Sequence, residues 1–332
     1  MITLPRVAAL ELTYRCNHRC LFCSCPWEAE KIAPEDELET EAWTHAIHEL
    51  ARRGTEVASF SGGEPTLRND LLDIIDAARR EGMHACVVSN GRSVGRELLE
   101  EFSARDVSLS ISVPGIMTFE QHTGHDGVEH VMQIFRWARD LGMRVTANIA
   151  VTKGNLPELR ETMAYALING ASYVLLNRFL PGGRGLDNTA LLLDRDELNQ
   201  MLSVAESVLQ KAGAYGHVGT ELPYCAVDDP SSLQRLHVSY RCGAAKTFFA
   251  IDPSGYVKVC NHSEHRLCKF WDIDSLENDP YWQTFARGDY RPSMCDGCDH
   301  ASTCDGGCRE AANVCYGSAD APDPLFAAVR AV

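Results

Sequence analysis

Short apolar runs alternate with amphipathic segments through the first half of the chain. Six runs rich in aliphatic and β-branched residues predict strands over residues 6–13, 56–61, 84–89, 107–113, 144–152 and 173–179. Between them, apolar residues recur every three or four positions and predict helices over residues 40–50, 70–80, 97–104, 128–138 and 156–169. Each strand-and-helix step takes roughly 25 to 35 residues, which is typical of parallel strands joined by right-handed crossovers.

The number of steps separates closed from open architectures. Six steps are too few for the eight-fold closed barrel, so the pattern favours an open or partial (β/α)6 barrel. In such folds the chemistry lies at the carboxyl ends of the strands. The distinctive segments do follow strands: the first cysteines after the first, Gly62–Pro65 after the second, Ser89–Gly91 after the third, Ser112–Gly115 after the fourth and Asn177–Gly185 after the sixth.

The pattern changes after about residue 190. Residues 195–212 predict one more amphipathic helix, but beyond about residue 220 turn residues and cysteines dominate. A segment of that kind cannot form a large core and needs metal to fold. We therefore predict a partial barrel over residues 1–190, a bridging helix and linker over 191–224, and a small cysteine-rich domain over 225–332.

Charge and composition exclude several classes of protein. The 332 residues include 46 acidic and 31 basic side chains, a net charge of −15, which disfavours binding to nucleic acid or to an anionic membrane. The sequence contains no apolar run of about 18 residues and no pattern of a secretory signal. We expect a cytoplasmic protein.

The 14 cysteines are the most informative component. In a reducing compartment they are expected to bind metal rather than to form disulfides. Cys16, Cys20 and Cys23 lie on one short loop after the first strand and suit a [4Fe–4S] cluster that keeps one iron open to a ligand. The spacing alone also allows a zinc site that takes a distant fourth ligand.

The segment Cys16-Asn17-His18-Arg19-Cys20-Leu21-Phe22-Cys23 resembles the signature of the radical S-adenosylmethionine (radical SAM) superfamily. The resemblance implies that the three cysteines hold a [4Fe–4S] cluster whose open iron chelates SAM. It further implies reductive cleavage of SAM to a 5′-deoxyadenosyl radical, which abstracts hydrogen from a substrate. Phe22 is expected to pack near the adenine.

Gly62-Gly63-Glu64-Pro65 resembles the family segment that binds the amino group of SAM. Two glycines let the backbone approach closely, and the Glu64 carboxylate can accept from an ammonium group. The same resemblance implies further SAM contacts at Ser89, Asn90, Ser112, Asn148, Asn177, Arg178 and Arg184. Val113-Pro114-Gly115 stands where many members have Leu-Asp-Gly, so the role of that Asp is missing. For the glycine-rich turn after the sixth strand, a purely structural loop remains an alternative.

The C-terminal cysteines form a seven-member array: Cys242-x12-Gly255-x4-Cys260, Cys295-x2-Cys298-x5-Cys304-x3-Cys308 and Cys315. Taken alone, the Cys-x2-Cys pair allows zinc or iron–sulfur binding. The array resembles the SPASM domain of radical SAM enzymes, which holds two auxiliary [4Fe–4S] clusters. That implies a first cluster on Cys242, Cys260 and Cys308 and a second on Cys295, Cys298, Cys304 and Cys315. Cys225 is the candidate fourth ligand of the first cluster; otherwise one of its irons stays open.

Together the resemblances imply a radical SAM enzyme that uses SAM and three [4Fe–4S] clusters. The expected reaction is oxidation, crosslinking or epimerisation of a ribosomally synthesised peptide. The alternatives are radical dehydrogenation or epimerisation of a small molecule, such as an aminosugar or a tetrapyrrole, and a non-catalytic electron-transfer protein, which the open-site loop disfavours. Expected partners are the substrate, an electron donor such as flavodoxin or ferredoxin, and a separate leader-peptide-binding protein, because the first strand starts at about residue 6.

Overall fold

The computed structural model describes residues 2–25 and 37–326, which have an α/β architecture. The strands in the described part are β1 (Val7–Glu11), β2 (Val57–Ser61), β3 (His84–Ser89), β4 (Ser108–Ser112), β5 (Val145–Val151), β6 (Tyr173–Arg178), β7 (Gly216–Val218), β8 (Leu236–Val238), β9 (Phe248–Ile251) and β10 (Val257–Lys258). The α-helices there are α1 (Thr40–Arg52), α2 (Leu71–Arg80), α3 (Arg96–Ala104), α4 (Phe119–Thr123), α5 (Val128–Asp140), α6 (Leu159–Asn169), α7 (Arg195–Ala212), α8 (Pro280–Arg287) and α9 (Arg309–Tyr316).

The six predicted strands and the predicted helices are confirmed, with most ends shifted by a few residues. Thr40 is the first helical residue of α1, and its hydroxyl donates to the Asp70 carboxylate at 2.5 Å. Residues 156–158 form a 3₁₀ turn before α6, because Pro157 lies at its start. None of the described helices is long and apolar enough to cross a lipid bilayer.

The chain divides into two compact units, each built from separate stretches of sequence. The first comprises Met1–Asn17, Cys25–Ser110 and Gly243–Asp289; the second comprises His18–Ser24, Ile111–Cys242 and Tyr290–Val332. The stretch between residues 243 and 289 thus belongs to the same unit as the first strands.

In the first unit, β1 pairs in parallel with both β2 and β9, β2 pairs in parallel with β3, and β9 pairs antiparallel with β10. Leu10, Phe60 and Val87 point into the core, and α1 packs its apolar stripe, which includes Trp43 and Ile47, inside the same unit. The parallel pairing places the carboxyl ends of β1, β2 and β3 at one edge. The segments expected to carry chemistry therefore start from neighbouring strand ends.

In the second unit, β5, β6, β7 and β8 pair in parallel in that order. Alternate residues of β5 are buried, as expected for a strand with one face in a core. Helix α7 begins with a capping box: the Asp194 carboxylate accepts from the Glu197 backbone N–H, and the Glu197 carboxylate accepts from the Asp194 backbone N–H.

Candidate active site

The Gly62-Gly63 segment continues the pairing of β1 and β2 beyond their ends. The backbone N–H of Gly63 donates to the Thr13 carbonyl, and that of Glu64 donates to the Arg15 carbonyl, each at 2.8 Å. Gly62 has a φ of +129°, and a Cβ built on Gly63 would overlap the carbonyl oxygen of Arg15. Only glycine allows the two backbones to approach this closely.

Glu64 ties the ends of β2 and β3 together. Its Oε1 accepts from the hydroxyls of Thr66 (2.6 Å) and Ser89 (2.7 Å), and its Oε2 accepts from the backbone N–H of Asn90 (2.7 Å). The side chain is buried, and burial raises the pKa of the carboxyl, while the hydrogen bonds from Thr66, Asn90 and Ser89 oppose that rise. Backbone N–H groups can only donate, so the ionised carboxylate fits these partners.

Asn90 connects the end of β3 to the first cysteine. Its Nδ2 donates to Oδ1 of Asn17 at 2.7 Å and lies 3.8 Å from Sγ of Cys16. The Arg92 guanidinium donates to the Asn17 carbonyl at 2.6 Å. Within the first unit, the structure thus brings Cys16, Gly62–Pro65, Ser89 and Asn90 together, as the sequence predicted for neighbouring strand ends.

In the second unit, the backbone of the remaining cysteine loop is fixed by the turn after β6. The Arg184 guanidinium donates to the Cys20 carbonyl, and the Gly185 backbone N–H donates to the Cys23 carbonyl, both at 3.1 Å. In this structure Arg184 therefore stabilises the backbone of the loop that carries Cys20 and Cys23. The Phe22 ring lies 6.1 Å from the His122 ring, centroid to centroid.

Four other predicted SAM contacts are strand residues that belong to the second unit. Ser112 is the last residue of β4, and Nδ2 of Asn177 donates to Oδ1 of Asn148 at 2.9 Å. Arg178, also predicted as a SAM contact, is buried, and its guanidinium donates to both carboxylate oxygens of Asp323, at 2.6 and 2.8 Å. The structure thus gives Arg178 a partner that lies 145 residues away in the sequence.

Glu158 organises the loop after β4, where the chain departs from the family pattern. Its carboxylate accepts from the Thr118 hydroxyl and from the backbone N–H groups of Ile116, Met117 and Thr118. Burial alone would raise the pKa of Glu158, but these hydrogen bonds lower it. Sequence reasoning missed this residue because a lone glutamate at the start of a helix carries no signal of a partner 40 residues earlier.

A buried ion pair, also missed from the sequence, joins β1 and β10 in the first unit. Glu11 and Lys258 approach to 2.8 Å, and both side chains are almost fully buried. Burial raises the pKa of Glu11 to about 7, against the opposing effect of Lys258.

Two C-terminal cysteines of the second unit have raised pKa values, and the neighbours that contribute to the rise differ between them. Burial and then the charge of Cys304 raise the pKa of Cys225, whereas the pKa of Cys308 is raised by burial, Glu221 and Cys242. Cys260 belongs to the first unit and is buried just after β10. Over residues 2–25 and 37–326, no three His, Cys, Asp or Glu side chains converge on a position for a single metal ion.

The sequence comparisons agree with the motifs. Residues 10–166 match the family profile described as "Radical SAM superfamily". The PqqA peptide cyclase of Gluconobacter oxydans (strain 621H) is 29% identical over 338 residues, covering 97% of this chain and 90% of that protein.

Solved structures share the fold at low sequence identity. Streptococcus suis SuiB bound to its precursor peptide SuiA superposes with a TM-score of 0.76 at 14% identity, over 96% of this chain and 75% of that one. The structure of anSMEcpe with bound AdoMet gives a TM-score of 0.75 at 15% identity, over 97% and 93% of the two chains. The likeness covers the partial barrel and the cysteine-rich C-terminal region. Residues 10–166 thus form a radical SAM domain, and the C-terminal cysteine array is of the SPASM type.

Proposed function

We propose that the chain uses SAM and iron–sulfur clusters to modify a ribosomally synthesised peptide by oxidation, crosslinking or epimerisation. The observation that carries the proposal is the likeness to the PqqA peptide cyclase, which extends over 97% of the chain. The shared fold with SuiB, whose structure contains a precursor peptide, supports a peptide as the substrate class.

Each segment at the strand ends has a role in this proposal. Cys16, Cys20 and Cys23 would hold the SAM-binding cluster; SAM bound there supplies, on reduction, the 5′-deoxyadenosyl radical. Gly62 and Gly63 keep the backbone close to β1, and the Glu64 carboxylate fixes the ends of β2 and β3. These contacts orient the segments that are expected to bind the amino group and the ribose of SAM.

The C-terminal cysteines would hold two further [4Fe–4S] clusters, three in total. The chemistry that they would supply is acceptance of one electron from a substrate radical, which oxidation and crosslinking require and epimerisation does not. A flavodoxin or ferredoxin is the proposed reductant, and a separate leader-peptide-binding protein is the proposed partner that presents the substrate.

The test is co-expression with a short peptide encoded beside the gene, followed by mass spectrometry of the peptide. Loss of two hydrogens would indicate oxidation or crosslinking, and gain of one solvent deuterium without other mass change would indicate epimerisation. The Cys20→Ala variant serves as the control and should leave the peptide unchanged. A peptide left unmodified by protein that cleaves SAM would contradict the peptide assignment.

Gly63→Ala should weaken SAM binding, because the added Cβ overlaps the backbone oxygen of Arg15. The segment can relieve this overlap only by moving away from β1, which displaces the backbone expected to bind SAM. A loss of about 1.4 kcal/mol in binding free energy would lower the affinity for SAM by about tenfold. Equilibrium dialysis of labelled SAM with anaerobically reconstituted protein measures the effect. Gly95→Ala is the matched control, since a Cβ there meets nothing within 4 Å; equal affinities in the two variants would refute the prediction.

A further inference from the structure

The last turn of α4 lies along the loop that carries Cys20, inside the second unit. The carbonyl of His122 accepts from the backbone N–H of Leu21 at 2.9 Å, and the carbonyl of Thr123 accepts from that of Arg19 at 2.8 Å. Arg19 and Leu21 flank Cys20, so the two bonds hold the loop on both sides of this cysteine. The position of α4 therefore sets the position of this part of the loop.

The His122 side chain connects α4 to the end of β5. The side chain is buried, with Nδ1 3.0 Å from the Thr118 carbonyl oxygen and Nε2 2.9 Å from Oγ1 of Thr152. A carbonyl oxygen can only accept, so Nδ1 carries the proton and Nε2 accepts from the Thr152 hydroxyl. The bond to Thr118 stays at the start of α4, whereas the bond to Thr152 reaches another element.

Thr152 is a well-fixed partner for this bond. Its Oγ1 accepts from the backbone N–H of Asn155 at 3.3 Å, and its own N–H donates to Oδ1 of Asn155 at 2.8 Å. Nδ2 of Asn155 donates to the Pro114 carbonyl, which joins the loops after β4 and β5. The packing is also tight, since a Cβ built on Gly154 would lie 3.3 Å from the His122 ring.

The Phe22 ring depends on α4 more directly than the neighbouring thiols do. It lies 6.1 Å from the His122 ring, centroid to centroid, at an interplanar angle of 38°. The backbone of Cys20 and Cys23 has separate support, because the turn after β6 donates hydrogen bonds to both of their carbonyls. A change at His122 should therefore displace the Phe22 ring while the thiols keep their places.

We propose that His122 is a positioning residue for the nucleoside half of SAM. Its bond to Thr152 fixes α4, and α4 fixes the Phe22 ring, which is expected near the adenine. The amino group of SAM is expected at Gly62–Pro65, which belong to the other unit and take no part in these contacts. This inference rests on the SAM binding of the proposed function and is independent of the substrate that the radical attacks.

The test compares variants that remove the bond between His122 and Thr152 with variants that keep it. His122→Leu has no hydrogen-bonding group, and Thr152→Val replaces the hydroxyl with a methyl group. His122→Gln retains an amide that can bond to the Thr152 hydroxyl, and Thr152→Ser retains the hydroxyl, so both should bind SAM as the parent does. His84→Leu is the matched control, because it removes a bond of the same kind, to the Ser108 hydroxyl at 2.8 Å, in the other unit.

Equilibrium dialysis of labelled SAM with anaerobically reconstituted protein measures the affinity, and competition by L-methionine and by 5′-deoxyadenosine reports on each half of SAM. In His122→Leu and Thr152→Val, the affinities for SAM and for 5′-deoxyadenosine should fall about tenfold, as expected if the Phe22 ring is correctly placed about a tenth of the time. The affinity for methionine and the iron content should match those of the parent. Amide hydrogen exchange over residues 19–22 should become faster in the same two variants.

An unchanged affinity for SAM in His122→Leu and Thr152→Val would overturn the proposal. Equal losses of affinity for methionine and for 5′-deoxyadenosine, or a loss of iron, would overturn it as well, because they would indicate a general disturbance of the site. If His122→Leu does not fold, the comparison of Thr152→Val with Thr152→Ser decides the outcome. A parent protein that holds iron but binds no SAM would refute the proposed function, and this inference with it.

Discussion

Replacing Cys20 with alanine should abolish SAM cleavage and lower the iron content from about twelve to about eight atoms per chain. A [4Fe–4S] cluster that keeps one iron open for SAM depends on all three of its protein thiolates, so the loss of one leaves it held by two. The structure fixes the backbone at this position through the hydrogen bond from Arg184 to the Cys20 carbonyl, which the substitution leaves in place. Methionine and 5′-deoxyadenosine released from dithionite-reduced protein measure the cleavage.

The matched control is Cys25→Ala, two residues beyond the Cys16–Cys23 motif. The Cys25 thiol lies 4.0 Å from the carbonyl oxygen of Gly62, and Cys25 is not one of the three cysteines that the motif predicts as cluster ligands. We expect this variant to keep the parent iron content and cleavage rate. Release of 5′-deoxyadenosine by Cys20→Ala at the parent rate would show that the loop does not hold the SAM-binding cluster.

Local signals made several elements predictable to the residue. The predicted bounds of α7 are those observed, because Asp194 and Glu197 form a capping box and Gly213 adopts a left-handed conformation just past the last turn. Strand β3 is likewise observed as predicted, since its burial alternates along its length. For α7 the sequence near the helix contains the physical cause of both its ends.

The strand β9 was not predicted, because a run of four residues is too short for periodicity to identify. Its stability comes from pairing with β1, which lies about 240 residues earlier in the chain. Turn residues dominate the sequence beyond about residue 220, so its pattern does not predict this strand, which belongs to the same unit as β1–β3.

The candidate site shows the same division between local and distant causes. The motif positions Gly62–Pro65, Ser89 and Asn90 were identified from their places after strands, and the structure brings them together through Glu64. The pairing of Arg178 with Asp323 could not be identified in this way. An arginine at a strand end has many possible partners, and the sequence contains no signal that selects a carboxylate 145 residues away.

Arg178→Met should destabilise the protein strongly. Arg178 and Asp323 form a bidentate ion pair whose side chains are 2% and 0% exposed. Removing one partner of a buried pair leaves an uncompensated charge and costs about 3–5 kcal/mol. The Arg178 guanidinium also donates to the Glu221 carbonyl at 2.9 Å, so the variant releases two segments at once. We expect the apparent Tm of the anaerobic holoprotein to fall by roughly 5–10 °C.

Two comparisons isolate burial as the cause of that loss. The first comparison is Arg195→Ala, which removes an exposed ion pair. The side chains of Arg195 and Asp228 are 55% and 62% exposed, and an exposed pair of this kind contributes less than about 1 kcal/mol to stability. The double variant Arg178→Met/Asp323→Asn removes the unpaired charge and keeps an amide oxygen for the Cys308 N–H, so it should regain part of the lost Tm. If Arg178→Met lowers the Tm no more than Arg195→Ala does, the buried pair does not stabilise this unit. That result would favour the role as a SAM contact that the family resemblance implied for Arg178.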